Sequence, residues 1–424
     1  MLSNPLQGHE LPNSPLPSPL AVHWQHDPSV CFLNHGSFGA CPTRVLQAQV
    51  RYRNRMEAEP IRFFVEDSWD LLDRARAALA TFIGAHATDL VPIPNATIAV
   101  ATVLHHLART GFLGAGDEVL ANDHEYPACL NNLRAVCAMV GAAPVIAPIP
   151  FPIRSADQAF DAIMSRVTPR TKAALISHVT SSSGLILPVE RLVAALEARG
   201  VRTIIDGAHA IGMLPDLNLN TLNASYYTSN CHKWLCTPKG CAFLWIRGDL
   251  QHNFRPLVLS NFAEKPKPGR PPHHTEFDFV GTNDITPFLT IPDAIEFLST
   301  LISGGIPALQ AHNRAMTLRG RDAICTRLSI QPPAPDDMIG SICTLILPPH
   351  DPARRASLAA RPSAYHDALQ DSLLSRWRIQ VPIWSVADGP RTVRISAHAY
   401  NAPGQFEYLA AALEAELARE RSSL

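Results

Sequence analysis

Two short stretches, "RTIIDGAHA" at residues 202–210 and "SNCHKW" at residues 229–234, decide the fold. The first contains a short apolar run that ends in polar residues, and the second continues "ASYYTSN" (224–230), which is also typical of a strand. Asp206 ends the first run, and Lys233 follows the second. Ligands of parallel sheets bind beyond the carboxyl ends of the strands. We therefore expect Asp206 and Lys233 to lie on successive strand ends at one edge of a sheet.

The chain around these stretches alternates helical and strand patterns from about residue 68 to residue 250. Apolar residues recur at helical spacing in "WDLLDRARAALATFIG" (69–84), whereas "TKAALISH" (171–178) is a compact apolar run. Such alternation predicts an α/β fold with a mostly parallel sheet and helices on both faces. Short strands at "GSICTLIL" and "RTVRIS" predict a smaller α+β domain near the C-terminus.

Composition shifts along the chain predict three parts. Residues 1–28 are rich in proline and predict an extended N-terminal arm. Residues 29–290 form the predicted large domain, and residues 291–424 the small C-terminal domain. "FAEKPKPGRPPHHTEFDFVGTND" (262–284) is rich in proline and charge, which predicts a long surface loop.

The overall composition excludes several classes of partner. A formal net charge of -1 argues against nucleic acid or an anionic membrane, because both need a basic patch. No run of 18 apolar residues is present, and the N-terminus lacks the pattern of a signal peptide. Nine cysteines without a C-x-x-C pair indicate reduced thiols rather than disulfides or a metal site. We expect a cytoplasmic protein.

Asp206 and Lys233 together predict a cofactor. An Asp after a strand is by itself equally typical of a helix cap, and most lysines are solvated surface charges. Pyridoxal phosphate, however, requires a lysine for its Schiff base and an anion beside its pyridinium nitrogen. A nicotinamide cofactor is disfavoured because no G-x-G-x-x-G follows the first strand. Lys239, in "TPKG", is predicted to support a turn.

Several motifs, in order, carry a resemblance to a known family. They are "FLNHGSFGACP", "PNATIAV", "DHEYPAC", "SHVTSSSGLILPV", "IIDGAHAIG" and "NCHKWLCTPKGCAFLW". The chain resembles the class V aminotransferases, which are fold-type I pyridoxal phosphate enzymes, and within them the isopenicillin N epimerase-like branch. That branch is also similar to ergothioneine-pathway sulfoxide lyases. The resemblance runs from about Cys31 to Asn401, and it implies a seven-stranded sheet.

The resemblance implies a role for each matching residue. Lys233 forms the Schiff base and moves protons at Cα, Asp206 pairs with the ring nitrogen, and Tyr126 stacks on the ring. Arg394 clamps the substrate carboxylate. The implied cofactor contacts come from Ala96, Thr97, Tyr126, Ser181, Asp206, Ala208, His209, Asn230, His232 and Lys233.

Further implied positions lie around this set. His35 and Ser37, in "NHGSFG", line the substrate entrance. Gly281 and Thr282, in "VGTND", reach the cofactor phosphate of a partner subunit, which implies a homodimer with shared sites. Asn283 stands where relatives carry arginine, so substrate contacts near that interface differ.

Three reactions remain open for the carbanion that such a site produces. Epimerisation is the first candidate, with Tyr126 as a proton donor on the far face. Elimination of a β-sulfur group by a C–S lyase is the second, and transamination the third. "SRWRIQVPIWSV" (375–386) contains no cysteine, which weighs against persulfide chemistry. An inactive binding protein is the non-enzyme alternative, disfavoured because Lys233, Asp206 and Arg394 are all present.

Overall fold

A seven-stranded sheet forms the centre of the molecule, as the family resemblance implies. The computed structural model describes residues 15–350, 352–365, 367–387 and 389–422. The sheet has the strand order β2-β8-β7-β6-β5-β3-β4. Only β8 runs against its neighbours. The strands are β2 (Leu90–Ile93), β3 (Glu118–Asn122), β4 (Ala143–Ala147), β5 (Thr171–Ser177), β6 (Arg202–Asp206), β7 (Tyr226–Ser229) and β8 (Ala242–Ile246).

The register of the sheet brings the ends of its central strands together. Ser177 at the end of β5 pairs with Asp206 at the end of β6, and Asp206 pairs with Thr228 of β7. These strands are parallel and buried except for Lys172 and Arg202 near their starts, which are half-buried. Polar side chains that follow them therefore share one edge of the sheet.

Helices cover both faces of the sheet, and two large apolar clusters fill the space between. The helices of the first 290 residues are α1 (His35–Phe38), α2 (Thr43–Ala58), α3 (Pro60–Arg62), α4 (Ser68–Phe82), α5 (Ala96–Arg109), α6 (Pro127–Val140), α7 (Ala156–Met164), α8 (Val189–Glu197), α9 (Leu219–Leu222), α10 (Pro272–Asp278) and α11 (Thr286–Leu289). None of the helices among the described residues is both long and apolar enough to cross a membrane.

The C-terminal part has its own antiparallel sheet, with the order β11-β12-β9. Its strands are β9 (Ile342–Ile346), β11 (Ile383–Ser385) and β12 (Arg391–Ser396). A short parallel pair, β1 (Cys31–Phe32) with β10 (Ile379–Gln380), ties the N-terminal segment to this part. The remaining helices are α12 (Ile291–Leu301), α13 (Gly305–Leu328), α14 (Pro352–Ala359), α15 (Ala368–Trp377) and α16 (Pro403–Ser422).

The predicted surface loop at residues 262–284 is wrong in its second half. Pro272–Asp278 is a helix, and the six residues after Pro272 are all buried. Its charge is neutralised inside the protein, because the carboxylate of Asp278 pairs with the buried guanidinium of Arg76. Proline also starts this helix, at a position where a missing N–H costs nothing.

The N-terminal arm is packed rather than extended over the part that the structure describes. Pro19–His23 forms a turn of 3₁₀ helix, and the Trp24 ring that follows is 5% exposed. Trp24 packs edge-on against Phe297, His398 and Tyr400. The first 14 residues of the predicted arm lie outside the described residues.

Candidate active site

A cavity of about 680 Å³ opens at the carboxyl ends of β5, β6 and β7. It collects most of the residues that the sequence predicts for the site. The predicted residues among its lining are Ser37, Ala96, Thr97, Tyr126, Ser181, Asp206, Ala208, His209, Asn230, His232, Lys233 and Arg394. Phe38, Ser177 and Trp384 also line it, although the sequence did not single them out.

Lys233 faces this cavity from the turn after β7. Burial of its ammonium group lowers its pKa to about 7, and the positive charge of Arg394 acts in the same direction. Its Nζ lies 3.1 Å from Nε2 of His209, and Nδ1 of His209 accepts a hydrogen bond of 3.3 Å from the indole of Trp234. A lysine with this pKa is in large part a neutral amine near pH 7, which makes it a nucleophile and a base.

Asp206 is a buried carboxylate that accepts few hydrogen bonds. One oxygen accepts the N–H of Ala208 at 2.9 Å, and the other faces the thiol of Cys129 at 3.3 Å. Burial raises the pKa of Asp206 despite these contacts. A cationic N–H at this position would restore favourable solvation of the carboxylate.

A second carboxyl group, Glu125, lies behind Asp206 and was missed by sequence reasoning. Its oxygens accept the backbone N–H of Ser177 at 2.7 Å and the Ser177 hydroxyl at 2.5 Å, and the Asn122 amide also donates to it. Burial raises the pKa of Glu125 to about 8, and the negative charge of Asp206 contributes. Only the unusual glutamate in "DHEYPAC" hinted at it.

The N-terminus of α5 forms the opposite wall. The Asn95 side chain caps the N–H of Ile98 at 2.9 Å, and the Asn230 side chain accepts the N–H of Ala96 at 2.9 Å. Among the first three amides of this helix, only that of Thr97 has no acceptor among the described residues. Asn230 thus organises the helix start, and the Thr97 N–H is left for an anion.

His232 flanks the same wall. Its Nδ1 lies 2.9 Å from the carbonyl oxygen of Cys241, so Nδ1 carries the donating proton, and Nε2 has no hydrogen-bond partner among the described residues. Burial lowers the pKa of His232 to about 4. A bound anion beside Nε2 would favour the imidazolium form, which donates from both nitrogens.

Arg394 closes the cavity on the side of β12 and is 2% exposed. Its guanidinium donates to Ser181 O at 2.8 Å and to Ser37 Oγ at 2.8 Å, and it lies 4.6 Å from the ring centre of Trp384. No carboxylate of the described residues forms an ion pair with it, and burial lowers its pKa to about 9. As the alternation in "TVRIS" predicts, Val393 and Ile395 point instead into the core.

His35 does not line the substrate entrance, which corrects its predicted place. It is 1% exposed and lies behind the cavity, where its Nε2 is 3.0 Å from the carbonyl oxygen of Lys233 and its Nδ1 is 2.9 Å from the Tyr400 hydroxyl. Cys236 and His398 complete this cluster, with the thiol 3.5 Å from His398 Nε2. The donor atoms of His35, Cys236 and His398 lie within 4.8 Å of one another, as in metal sites. Since they already bond within the protein, we assign them the support of the Lys233 backbone.

Two predicted residues lie apart from this cavity. Gly281 is half-buried and Thr282 is exposed, and neither lines it. They follow Val280 and precede Asn283, both of which line a neighbouring groove of about 560 Å³. Contact of Gly281 and Thr282 with a partner's cofactor stays a prediction.

The cavity fits pyridoxal phosphate on its own geometry. A neutral lysine can bind an aldehyde, the buried carboxylate of Asp206 has no ion pair within the described part of the chain, and the helix N-terminus there offers an unpaired N–H to a phosphate. The guanidinium of Arg394, buried without a carboxylate partner, leaves a place for a second anion such as a substrate carboxylate. These four features surround one space.

Comparisons with known proteins agree with this geometry. The family model for aminotransferase class-V matches residues 33–409. The isopenicillin N epimerase of Amycolatopsis lactamdurans is 32% identical, with 92% of this chain and 95% of that protein covered. An L-cysteine desulfhydrase of Arabidopsis thaliana is 30% identical, with 69% of this chain and 66% of that one covered.

Solved structures share the fold. The cystine C–S lyase C-DES, in complex with cysteine persulfide, has a TM-score of 0.73 and 22% identity over 91% of this chain and 97% of its own. A second structure of C-DES carries glycine linked to its pyridoxal phosphate cofactor. The chain therefore belongs to the aminotransferase class-V family and is a pyridoxal phosphate-dependent enzyme of fold type I.

Proposed function

We propose that the enzyme removes the α proton of an amino acid substrate, with Lys233 as the base. The observation that carries this proposal is the convergence of Lys233, Asp206 and Arg394 on one cavity. Arg394 selects a carboxylate, and Lys233 has a pKa of about 7, which is suited to proton transfer near neutral pH.

Each side chain has a distinct task in this proposal. Pyridoxal phosphate supplies an aldehyde that binds amines and a ring that withdraws electrons from Cα. Arg394 holds the substrate carboxylate with two parallel hydrogen bonds, which fixes Cα in the cavity near Lys233. Neutral Lys233 accepts the α proton and can return it. Asp206 keeps a negative charge beside the ring nitrogen, and the α5 N-terminus with Thr97 holds the phosphate.

Epimerisation is the first candidate for the overall reaction. The epimerase of A. lactamdurans matches this chain over 95% of its own length, and Tyr126 supplies a phenol on the cavity wall. A second proton donor is needed because the proton must return to the face of Cα that Lys233 does not reach. Tyr126 is the hydroxyl that we assign to this step.

Elimination of a β-sulfur group is the second candidate, and it needs only one base. Lys233, whose pKa is lowered to about 7, is the base that lines the cavity and would serve this step. A persulfide mechanism is disfavoured, because no cysteine is among the lining residues that the structure describes.

One experiment separates these outcomes. The holoenzyme is incubated in deuterium oxide with a panel of L-amino acids and S-substituted cysteines, and the products are followed by chiral chromatography and mass spectrometry. Epimerisation gives the D form or an inverted centre with deuterium at Cα, whereas elimination gives pyruvate, ammonia and a thiol. Absence of deuterium at Cα and of any product across the panel would refute proton removal.

We also propose that the enzyme works as a cytoplasmic homodimer. The groove beside the cavity exposes apolar side chains, with Ile98 38% and Val258 60% exposed. Ile98 lines both the groove and the cavity, so a second copy seated here would lie at the phosphate wall. The cytoplasmic location is supported by the nine cysteines, which are all free thiols.

Light scattering tests the dimer. Val258→Asp places a charge on the proposed interface, so we expect a monomer with weakened cofactor binding. Met139→Asp, at another exposed apolar side chain on α6, is the matched control and should leave the mass unchanged. A Val258→Asp protein with the mass of the parent dimer would contradict this interface.

A further inference from the structure

Trp234 directly follows Lys233 in sequence, and it contacts His209, whose imidazole lies beside the Lys233 amine. The indole N–H of Trp234 donates to Nδ1 of His209 at 3.3 Å, while Nε2 of the same imidazole lies 3.1 Å from Lys233 Nζ. Trp234 and His209 are each 1% exposed, and Trp234 packs among Val179 and Ile342. The indole is therefore held in place, and its N–H has one acceptor.

These contacts determine where His209 carries its proton. Burial holds the pKa of His209 well below its usual range, and the charges of Lys233 and Arg394 act in the same direction, so the ring is neutral. A neutral imidazole has one N–H, and an indole can only donate. Because Nδ1 accepts from Trp234, the His209 proton resides on Nε2 and is directed at Lys233.

We propose that Trp234 is a positioning residue which keeps His209 as a hydrogen-bond donor at Nε2. In the protein without cofactor, this N–H donates to the lone pair of neutral Lys233. In the holoenzyme, it would donate to the phenolic oxygen of pyridoxal phosphate, the contact that the family resemblance implies for His209. The second statement rests on the proposed function, whereas the direction of the His209 N–H is a property of this chain alone.

The proposal predicts the direction in which the pKa of a neighbouring group shifts when the indole N–H is lost. A donor at this point stabilises neutral Lys233, and it stabilises an anionic phenolic oxygen, so its loss raises the pH at which either group gives up a proton. Without the indole N–H, His209 can move its proton to Nδ1 and accept from Lys233 instead. The other titratable or charged groups that face this pair are Asp206, Cys129, Arg394, His35 and His232, and Trp234→Phe leaves them in place.

A double-mutant cycle on the holoenzyme tests it. The readout is the pH midpoint of the change in visible absorbance of the bound cofactor. Trp234→Phe removes the N–H and keeps an aromatic ring, and it should raise the midpoint by about half to one pH unit, the equivalent of one hydrogen bond. In a His209→Gln background, whose amide keeps an N–H donor, Trp234→Phe should add no shift.

Trp245→Phe is the matched control, because Trp245 is 2% exposed and its indole N–H has no partner among the described residues. Its midpoint should equal that of the parent. An unchanged midpoint in Trp234→Phe, or an equal shift with and without His209, would overturn the proposal.

A second measurement tests the position of the His209 proton in the cofactor-free parent, so it does not depend on the folding of the Trp234→Phe variant or on cofactor binding. ¹⁵N-histidine spectra of the cofactor-free parent should contain a neutral imidazole protonated at Nε2 that is absent from His209→Gln. A His209 signal protonated at Nδ1 in the parent would refute the inference. Failure of the proposed function would appear separately, as a parent protein that gains no visible absorbance with pyridoxal phosphate.

Discussion

The floor and the mouth of the cavity differ in almost every physical respect. The floor consists of Asp206, His209 and the Lys233 amine, where buried polar atoms have fixed partners and shifted pKa values. The mouth consists of Phe38 and Tyr126, which are 74% and 45% exposed. Buried polar networks are rigid because each lost contact is costly, whereas exposed rings can rearrange freely. The floor therefore provides the base and the cofactor contacts, whereas the mouth determines which side chains enter and, through Tyr126, holds the proposed second proton donor.

Replacing Lys233, the proposed base on the floor, should have the largest effect on turnover. Lys233→Ala should lower turnover by about 100- to 10,000-fold, the usual contribution of a positioned general base. Lys239→Ala, six residues away, is the comparison variant, and its mass is checked by light scattering because Lys239 also lines the groove of the proposed dimer interface. Lys239 donates to the carbonyl oxygen of Gly39 at 3.1 Å and does not line the cavity. Steady-state kinetics on both variants measure the contrast, and equal losses would contradict the assignment of Lys233.

The next largest effect is expected at Arg394, which lies between floor and mouth and would hold the substrate carboxylate. Arg394→Lys keeps the positive charge but loses the planar pair of donors, so KM for an amino acid should rise about 10- to 100-fold, the equivalent of one or two charged hydrogen bonds. The turnover number should fall less than kcat/KM. An unchanged KM would show that the substrate carboxylate binds elsewhere.

The floor was more predictable from sequence than its surroundings, for a physical reason. Asp206 and Lys233 follow strand ends, and Arg394 obeys the alternation of a strand, so local pattern alone puts them at one edge. Glu125 acts through Ser177, and Trp234 acts through His209; both partners are remote in sequence. Their roles depend on distances that no local pattern encodes.

The errors have the same origin. His35 lies in a polar motif, yet its contacts with Lys233 O and with Tyr400 place it behind the cavity rather than at its mouth. Pro272–Asp278 contains charge and proline, yet the remote Arg76 neutralises Asp278 and allows the helix to be buried. Long-range pairing reversed both predictions.

A change at the mouth should act on substrate choice alone. Phe38→Ala removes an exposed ring, so stability should stay close to that of the parent, since exposed side chains contribute little. The ratio of kcat/KM for a bulky and a small S-substituted cysteine should fall by up to about ten-fold, the usual range for apolar contacts in a pocket. The exposed Met139 on α6, changed to Ala, is the control, and an unchanged ratio in Phe38→Ala would remove Phe38 from the mouth.

The last effect concerns the stability of the fold rather than catalysis, and it arises below the floor, at Glu125. Its pKa is raised from 4.5 to about 8, chiefly by burial. A carboxyl group that binds its proton more tightly when folded stabilises the protein fully below the unfolded pKa, and this stabilisation is lost as pH rises through the folded value. The parent should therefore lose unfolding free energy between about pH 5 and pH 8, by up to about 1.4 kcal/mol per pH unit.

Glu125→Gln cannot titrate, so its urea-unfolding free energies, measured at one protein concentration, should fall less steeply over that range. Glu57→Gln, at an exposed position on α2, should follow the parent. Parallel curves for the parent and Glu125→Gln would mean that Glu125 is already ionised in the folded protein, so that Asp206 would share the floor with a second negative charge.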